Sequence, residues 1–577
     1  MHVNRKTLKR YGISIVLVFG LLTSFGFIDR YFEIAKSLDT FTTLFRHLNN
    51  HYVREVNPTM LMREGINAML TSLDPYTEFI PESDIEDFRM NYVSKQYAGI
   101  GASVFNREGK AIVSEVYEGF AAQRADIRVG DEIIGINGLN ITAKNSAYST
   151  DLLKGQSGSG IKLLIRREGE SQPLAKKLSR EVISFKNVTY FGLLNDTTGY
   201  IKIDKFLEGA AREVKVALIT LKEKHHIQSL ILDLRGNGGG IVQESVNIVN
   251  LFVDKGQKVA TQKGRFKEHN ITYKAELLPV DNRIPLVVLV DNSSASASEI
   301  VAGAIQDLDR GTIIGQRTYG KGLVQQTLNL PFKALLKLTV AKYYTPSGRC
   351  IQAFDYSHKD IDGTSSKISD SLVAEYKTKH GRSVYDGSGI YPDVSTPELN
   401  SSHVAEYLAE NLFVFDFATQ YRQRHPVLKG AKAFKLSDAE YETFLKFLTS
   451  KNYNFATKEE KKLQELKKVI LQEKSYDNIK AEFVALEQKL QEAKNASLVQ
   501  HKQEIKVLLE SEIVARYYFQ TGRLEASFKT DLAIKEANRV LRDASLYATI
   551  LKGEGSYKII GKPVAYVKTD VNLPVSN

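Results

Sequence analysis

Ser229-Leu-Ile-Leu-Asp-Leu-Arg-Gly-Asn-Gly-Gly-Gly240 and Ile284-Pro-Leu-Val-Val-Leu-Val-Asp-Asn-Ser-Ser-Ala-Ser-Ala-Ser-Glu-Ile300 share one pattern: a short apolar run, then a loop of small residues. Such runs suit strands buried on both faces of an α/β core. Strands and helices alternate from Gly199 to about Val394, which gives that core its extent. In the first loop, four of the five residues 236–240 are glycine, more than a tight turn needs. Glycine lets backbone N–H groups face an oxyanion or a phosphate without a Cβ in the way. The second loop opens a helix, where a serine can be exposed and helix N–H groups can stabilise an anion. Ser296-x-x-Glu299 also fits a capping box, and on pattern alone both readings stand.

A third element is Gly315-Gln-Arg-Thr-Tyr-Gly-Lys-Gly-Leu-Val-Gln325. Gly315, Gly320 and Lys321 fit a phosphate-binding loop, but Gly322 stands where a magnesium-holding Ser or Thr belongs. A helix should come after such a loop, whereas Leu323–Leu328 reads as a strand. A lysine between two glycines, set beside an exposed serine, suggests a buried amine that takes the serine proton. Bringing it from about 10.4 to near 7 costs roughly 4–5 kcal/mol, which only a dry pocket imposes. A surface lysine in a glycine turn is the plain alternative. Histidine offers no H-E-x-x-H pattern. One cysteine, Cys350, leaves neither an intrachain disulfide nor a Cys-ligated zinc finger.

Residues 97–183 read as short strands and turns. Ala111–Val116 and Ile161–Ile165 are strands, with a short helix after Glu118, a turn at Gly130-Asp131 and a hairpin turn at Asn137-Gly138. Residues 31–73 read as helices, with Ile34, Leu38, Phe41, Phe45, Leu48 and Tyr52 on one face, for dimerisation or for packing on a neighbouring domain. Beyond Leu399 the chain is helical and charged. Leu463, Leu466 and Ile470, then Phe483, Leu486 and Leu490, suggest a long hairpin or short coiled coil. At the amino end, Arg5, Lys6, Lys9 and Arg10 precede an uncharged run, Tyr11–Ile28, about 27 Å long as a helix. The basic flank keeps the amino end cytoplasmic and exports the rest of the chain. An uncleaved signal anchor is preferred because no A-x-A-like site comes after the run; a cleavable signal is the alternative. The formal charge of +11 is spread without a block of cations, which speaks against nucleic acid as the main partner.

The set Asp233-Leu-Arg-x-Asn-Gly-Gly-Gly, Ser294-Ala-Ser-Ala-Ser-Glu-Ile, Asp307, Thr318-Tyr-Gly-Lys-Gly-Leu-Val-Gln, Tyr344-Thr-Pro-Ser-Gly-Arg and Asp386-Gly-Ser-Gly-Ile-Tyr-Pro-Asp resembles the carboxyl-terminal processing peptidases (tail-specific proteases, peptidase family S41). Residues 97–183 look like their PDZ domain, and Leu73-Asp-Pro-Tyr matches the segment before it. The resemblance covers roughly residues 31–395. It implies an α/β, ClpP/crotonase-like serine protease core within an α/β and α+β multidomain chain, needing no metal or organic cofactor. It also implies Ser296 as nucleophile, Lys321 as base and Gln325 as the residue orienting the lysine, with Ser294 and Ser298 as weaker candidates for the nucleophile. The oxyanion falls to Ala297 and a glycine, Gly238 or Gly239 first, and Asp307 to a structural role. Gly99, Ile100, Gly101 and Ala102 would receive the terminal carboxylate of a protein or peptide with an apolar tail, and that binding would move the PDZ domain.

The expected organisation is a basic flank and signal anchor (1–30), helices (31–96), a PDZ domain (97–183), the protease core (184–398) and a helical tail (399–577). The resemblance assigns no role to the tail, leaving assembly as a homo-oligomer, adaptor binding or capping. The expected setting is a bacterial inner membrane with the catalytic part in the periplasm. Two rivals remain: a non-catalytic PDZ scaffold on a protease-like core, and a nucleotide-binding protein using residues 315–322.

Overall fold

The computed structural model describes residues 31–85, 88, 96–359, 365–397, 401–451, 458–473 and 476–563. Contacts divide the chain into two compact units, 1–79 with 327–338 and 80–326 with 339–577. In the first, α1 (31–51) and α2 (Pro58–Thr71) are the expected helices. Asn57 caps α2 by accepting from Met60 N, and Pro58 occupies its first turn. Asp74 Oδ1 then accepts from the amides of Tyr76 and Thr77, closing a turn at the Leu73-Asp-Pro-Tyr stretch. Among the described residues no helix is long and apolar enough to cross a membrane. The 11–28 run, on which the anchor expectation rests, lies outside them.

The second unit opens with a β-rich domain. Strand β1 (Gln96–Gly99) leads into β2 (Ala102–Arg107), β3 (Lys110–Val116), β4 (Glu132–Ile136), β5 (Gly160–Arg166) and β6 (Leu174–Ser179), and β7 (Glu181–Ser184) returns to pair with β1. The sheet runs β2-β3-β4-β5-β6, antiparallel throughout. Alternate residues Ile161, Leu163 and Ile165 of β5 point into a core with Val113, Ile133 and Ile136. That alternation is the period of a half-buried strand.

Next along the chain is the α/β core: β8 (Val188–Leu193), β9 (Thr198–Ile203), α3 (Ala210–His225), β10 (Ser229–Asp233), α4 (Val242–Asn250), β11 (Leu286–Val290), α5 (Ala297–Asp307) and β12 (Thr312–Gly315). After β13 (Leu323–Asn329), the two-residue strand β14 (Val394–Ser395) closes the sheet, in order β8-β9-β10-β11-β12-β14. Neighbours from β9 to β14 are parallel. Every residue of β10 and β11 is buried, which explains their unbroken apolar runs. Leu230, Leu232, Leu286, Val288 and Val290 face α3, α4 and α5 on one side.

The opposite face is covered by the tail. It comprises α6 (His403–Glu410), α7 (Phe413–Arg424), α8 (Asp438–Ser450), α9 (Lys458–Gln472), α10 (Lys480–Gln500), α11 (Lys502–Ser527), α12 (Leu532–Arg542) and α13 (Ala544–Lys552). Helices α9 and α10 form the expected hairpin, bridged by Lys467 and Glu487. The first helices and α11 build a core of their own around Phe417, Tyr441, Phe444 and Ile513. Helices α12 and α13 do something different. Their Ala533, Ile534, Ala537, Val540 and Ile550 bury against Tyr200, Ile231, Val287, Leu289 and Ile314. The tail thus supplies the second helical layer of the α/β sandwich.

Candidate active site

The turn between β11 and α5 carries Ser296 at φ 56°, ψ −112°. A positive φ at a residue with a Cβ is costly and persists only where the surroundings impose it. Three loop residues do so. Ser294 Oγ donates to Leu234 O at 2.9 Å, Ser298 Oγ donates to Asn237 O at 2.8 Å, and Ala295 N donates to the same Asn237 O at 3.0 Å. The other serines of the motif are therefore wholly buried and spent on holding the glycine loop, whereas Ser296 keeps 9% exposure.

The glycine loop lies directly against the serine. A Cβ on Gly239 would stand 2.8 Å from Ser296 Cβ and 2.9 Å from Ala297 N, so glycine keeps open the space in front of that amide. Gly239 has φ +99°, a second reason for glycine. Its own N–H donates to Asn237 Oδ1 at 2.9 Å, and Asn237 Nδ2 donates to Ile203 O. Among the described residues the N–H groups of Gly238 and Ala297 meet no acceptor. An unpaired donor on fully buried Ala297 is costly unless something else fills the site. Asp291 accepts from Gly236 N at 3.0 Å, tying the start of the loop to the end of β11.

Glu299, which the sequence offered only as a helix cap, does more than cap. Its Oε2 accepts from Ser296 N at 2.9 Å and from Lys321 N at 2.8 Å. Its Oε1 accepts from Thr318 Oγ at 2.6 Å and Gly320 N at 2.7 Å. One buried carboxyl thus joins the Ser296 turn to the lysine loop. Burial pushes its pKa up, and the four donors hold against that rise. Thr318 Oγ in turn accepts from Ile390 N, so the Asp386–Asp393 motif buttresses the same carboxyl.

The lysine loop is clamped on its other side. Gly322 N donates to Gln352 Oε1, and Ala353 N donates to Gly320 O. A Cβ on Gly320 would meet Ala353 Cβ at 2.3 Å, and one on Gly322 would meet Gln352 N at 2.6 Å. Both glycines beside Lys321 are thus required by close approach. The loop runs into strand β13 instead of the helix that a phosphate-binding loop needs. Gln325, on that strand, donates from Nε2 to Thr339 Oγ1 at 3.1 Å. Asp307 sits at the far end of α5, where it accepts from Arg349 Nη2 at 2.8 Å and Ser347 N at 3.0 Å. It anchors the Tyr344-Thr-Pro-Ser-Gly-Arg turn. Cys350, beside that turn, has its thiol pKa pushed up by burial.

In the β-rich domain, Gly99 ends β1, Ala102 begins β2, and Ile100 and Gly101 form the bend. Ile100 is buried; Ile100 O accepts from Ala122 N and Gly101 O from Tyr117 N. Gly101 has φ +78°, and a Cβ there would stand 2.3 Å from Phe120 Cβ. Strand β2 is at the edge of its sheet among the described residues.

Comparison with known proteins agrees with this architecture. Residues 197–361 match Peptidase family S41, residues 98–178 a PDZ domain, and residues 404–541 the C-terminal helical domain of probable PDZ-proteases. A carboxy-terminal-processing protease of Bartonella bacilliformis is 33% identical over 320 residues, 55% of this chain and 73% of that protein. The carboxy-terminal processing protease CtpB of Bacillus subtilis is 32% identical over 327 residues, 55% of this chain and 66% of its own length. Among solved structures, a photosystem II D1 C-terminal processing protease is 25% identical with a TM-score of 0.35, covering 63% of this chain and 94% of that one. The chain belongs to peptidase family S41, the serine-type carboxy-terminal-processing proteases, and carries a PDZ domain.

Proposed function

We propose that the protein is an endopeptidase using Ser296 and Lys321 as a catalytic pair. The observation that carries this is the strained Ser296 turn, tied through Glu299 to the backbone of Lys321. The neutral Lys321 amine takes the Ser296 Oγ proton as Oγ attacks the scissile carbonyl carbon. The carbonyl oxygen becomes an oxyanion, held by the open N–H groups of Ala297 and Gly238. Each such donor contributes about 3–4 kcal/mol to the transition state. As the C–N bond breaks, the lysine ammonium gives its proton to the leaving amine. Water, deprotonated by the same amine, then attacks the acyl ester and releases Ser296. Gln325, next to the loop, orients the lysine.

Substrate arrives through the PDZ domain. The amides of the 99–102 bend receive a terminal carboxylate, and the tail adds as a strand to the open edge of β2. Apolar terminal residues suit this site. The 11–28 run and its basic flank support a setting at a bacterial inner membrane, with the rest of the chain on the exported side. Hydrolysis of an unstructured protein with an apolar tail tests the reading. Wild type cleaves it, and S296A and K321A do not. Equal, non-zero rates for wild type and K321A remove Lys321 as the base, and no cleavage by either leaves a scaffold instead.

A further inference from the structure

Arg235 sits at the root of the glycine loop, held from several sides. Its Nε donates to both oxygens of Asp233 at 3.0 and 3.1 Å, and Nη2 donates to Asp233 Oδ2 at 2.6 Å. Its backbone N–H donates to Asp233 Oδ1 at 2.9 Å, and its carbonyl accepts from Lys202 Nζ. Asp233 is fully buried, and the hydroxyl of Tyr200 also donates to it. The remaining guanidinium arm reaches across 296 residues of sequence: Nη1 donates to Asp531 Oδ2 at 2.7 Å.

Asp531 belongs to the helical tail and has two separate tasks. Oδ1 accepts from Ile534 N at 3.0 Å and caps α12, while Oδ2 takes Arg235. The approach to it is packed. Phe528 sets its ring 5.0 Å from that of Tyr200, tilted, and 5.7 Å from that of Tyr190, edge to face, and Glu525 accepts from the Tyr190 hydroxyl at 3.0 Å. The tail segment 525–531 therefore reaches Arg235 directly and Asp233 through Tyr200. In charge, Arg235 is paired with Asp233 and Asp531, while Lys202 lies 3.2 Å from Asp204 and 3.7 Å from Asp233. A neutral residue at 531 leaves Arg235 with one buried carboxylate shared between two cations.

We propose that Asp531 is a positioning residue for catalysis. By fixing the guanidinium of Arg235, the tail holds the root of the loop whose Gly238 N–H faces the oxyanion. The tail is then part of the active site's support. This rests on the assignment of Ser296 and Gly238 made above. Fixed donors matter because a displaced donor loses most of its effect on the transition state while ground-state binding changes little.

The test uses the full chain and exploits the two tasks of Asp531. D531N and D531S keep an oxygen for the α12 cap and remove the charge. D543N is the control, because Asp543 caps α13 through Leu546 N without touching the loop. Peptide hydrolysis and thermal unfolding are measured for each. The expected result is a kcat lowered about tenfold in D531N and D531S, with KM within about twofold, measured at a temperature where thermal unfolding shows each variant fully folded. D543N keeps wild-type kcat. In an R235Q background, D531N produces no additional loss, because the two residues act as one unit. Wild-type kcat in D531N and D531S, with S296A inactive, overturns the positioning role and leaves the active-site assignment standing. A fall in kcat matched by D543N, or one that disappears when the assay is run well below the melting temperature of each variant, also overturns it. If S296A itself cleaves at the wild-type rate, the assignment beneath the inference is what fails.

Discussion

The backbone amides of Ser296 and Lys321 donate to the same atom, Oε2 of Glu299, at 2.9 and 2.8 Å. The Ser296 turn and the lysine loop cannot shift independently while that oxygen is in place. E299Q puts an amide –NH2 where two of the four donors now point. It is expected to lower kcat about 100-fold, since small misplacements at a reacting pair are costly. Steady-state hydrolysis by folded E299Q checks this, and a loss below about threefold would remove Glu299 from its linking role.

The three serines of the 294–298 loop separate by function. S296A abolishes hydrolysis. S294A and S298A each remove one buried hydrogen bond to the glycine loop and cost about 1–2 kcal/mol of stability, while hydrolysis persists. Denaturant midpoints and residual activity of the three variants check the division.

The tail as a layer of the core makes a stability prediction. Phe528 is 8% exposed and packs on Tyr190 and Tyr200. F528A is expected to cost about 3–5 kcal/mol, the range for an aromatic core truncation. An unfolding midpoint equal to wild type would mean that the tail does not share the core of the protease sheet.

The PDZ domain is expected to lose stability in acid. Burial pushes the Asp126 carboxyl up, but hydrogen bonds and charge from Arg128 and Arg167 outweigh it and bring the group from 3.8 down to about 2. A depressed carboxyl contributes stability above its unfolded value and loses it as pH falls toward the folded one. The loss falls between about pH 4 and pH 2. Hydrogen exchange of residues 97–183 in wild type and D126N checks it: the variant shows a shallower dependence over that window.

Much of the site was legible because residue identity carries it. Four glycines after a buried strand exceed what a turn needs, whereas the serine before a helix reads equally well as a cap and is set apart only by the lysine motif that comes after it. The strand runs of β10 and β11 were legible for the same reason. What escaped lies at long separation. Glu299 reads as a cap from its local spacing, and its second set of partners stands 19–22 residues away. Thr318 is the one local hint, inside the lysine motif. The partnership of Asp531 with Arg235 has no local signature. Amphipathic periodicity in α12 shows that the helix has an apolar face, and it is silent on which sheet that face covers.

Labelling of the nucleophile by a fluorophosphonate probe, mapped by peptide mass spectrometry in wild type and K321A across about pH 5–10, tests the Ser296–Lys321 pair most directly. Wild type should carry the adduct on Ser296, at a rate that rises through the titration of one amine. K321A should label far more slowly and without that rise. An adduct on another serine, or a K321A rate equal to wild type, would contradict the pair.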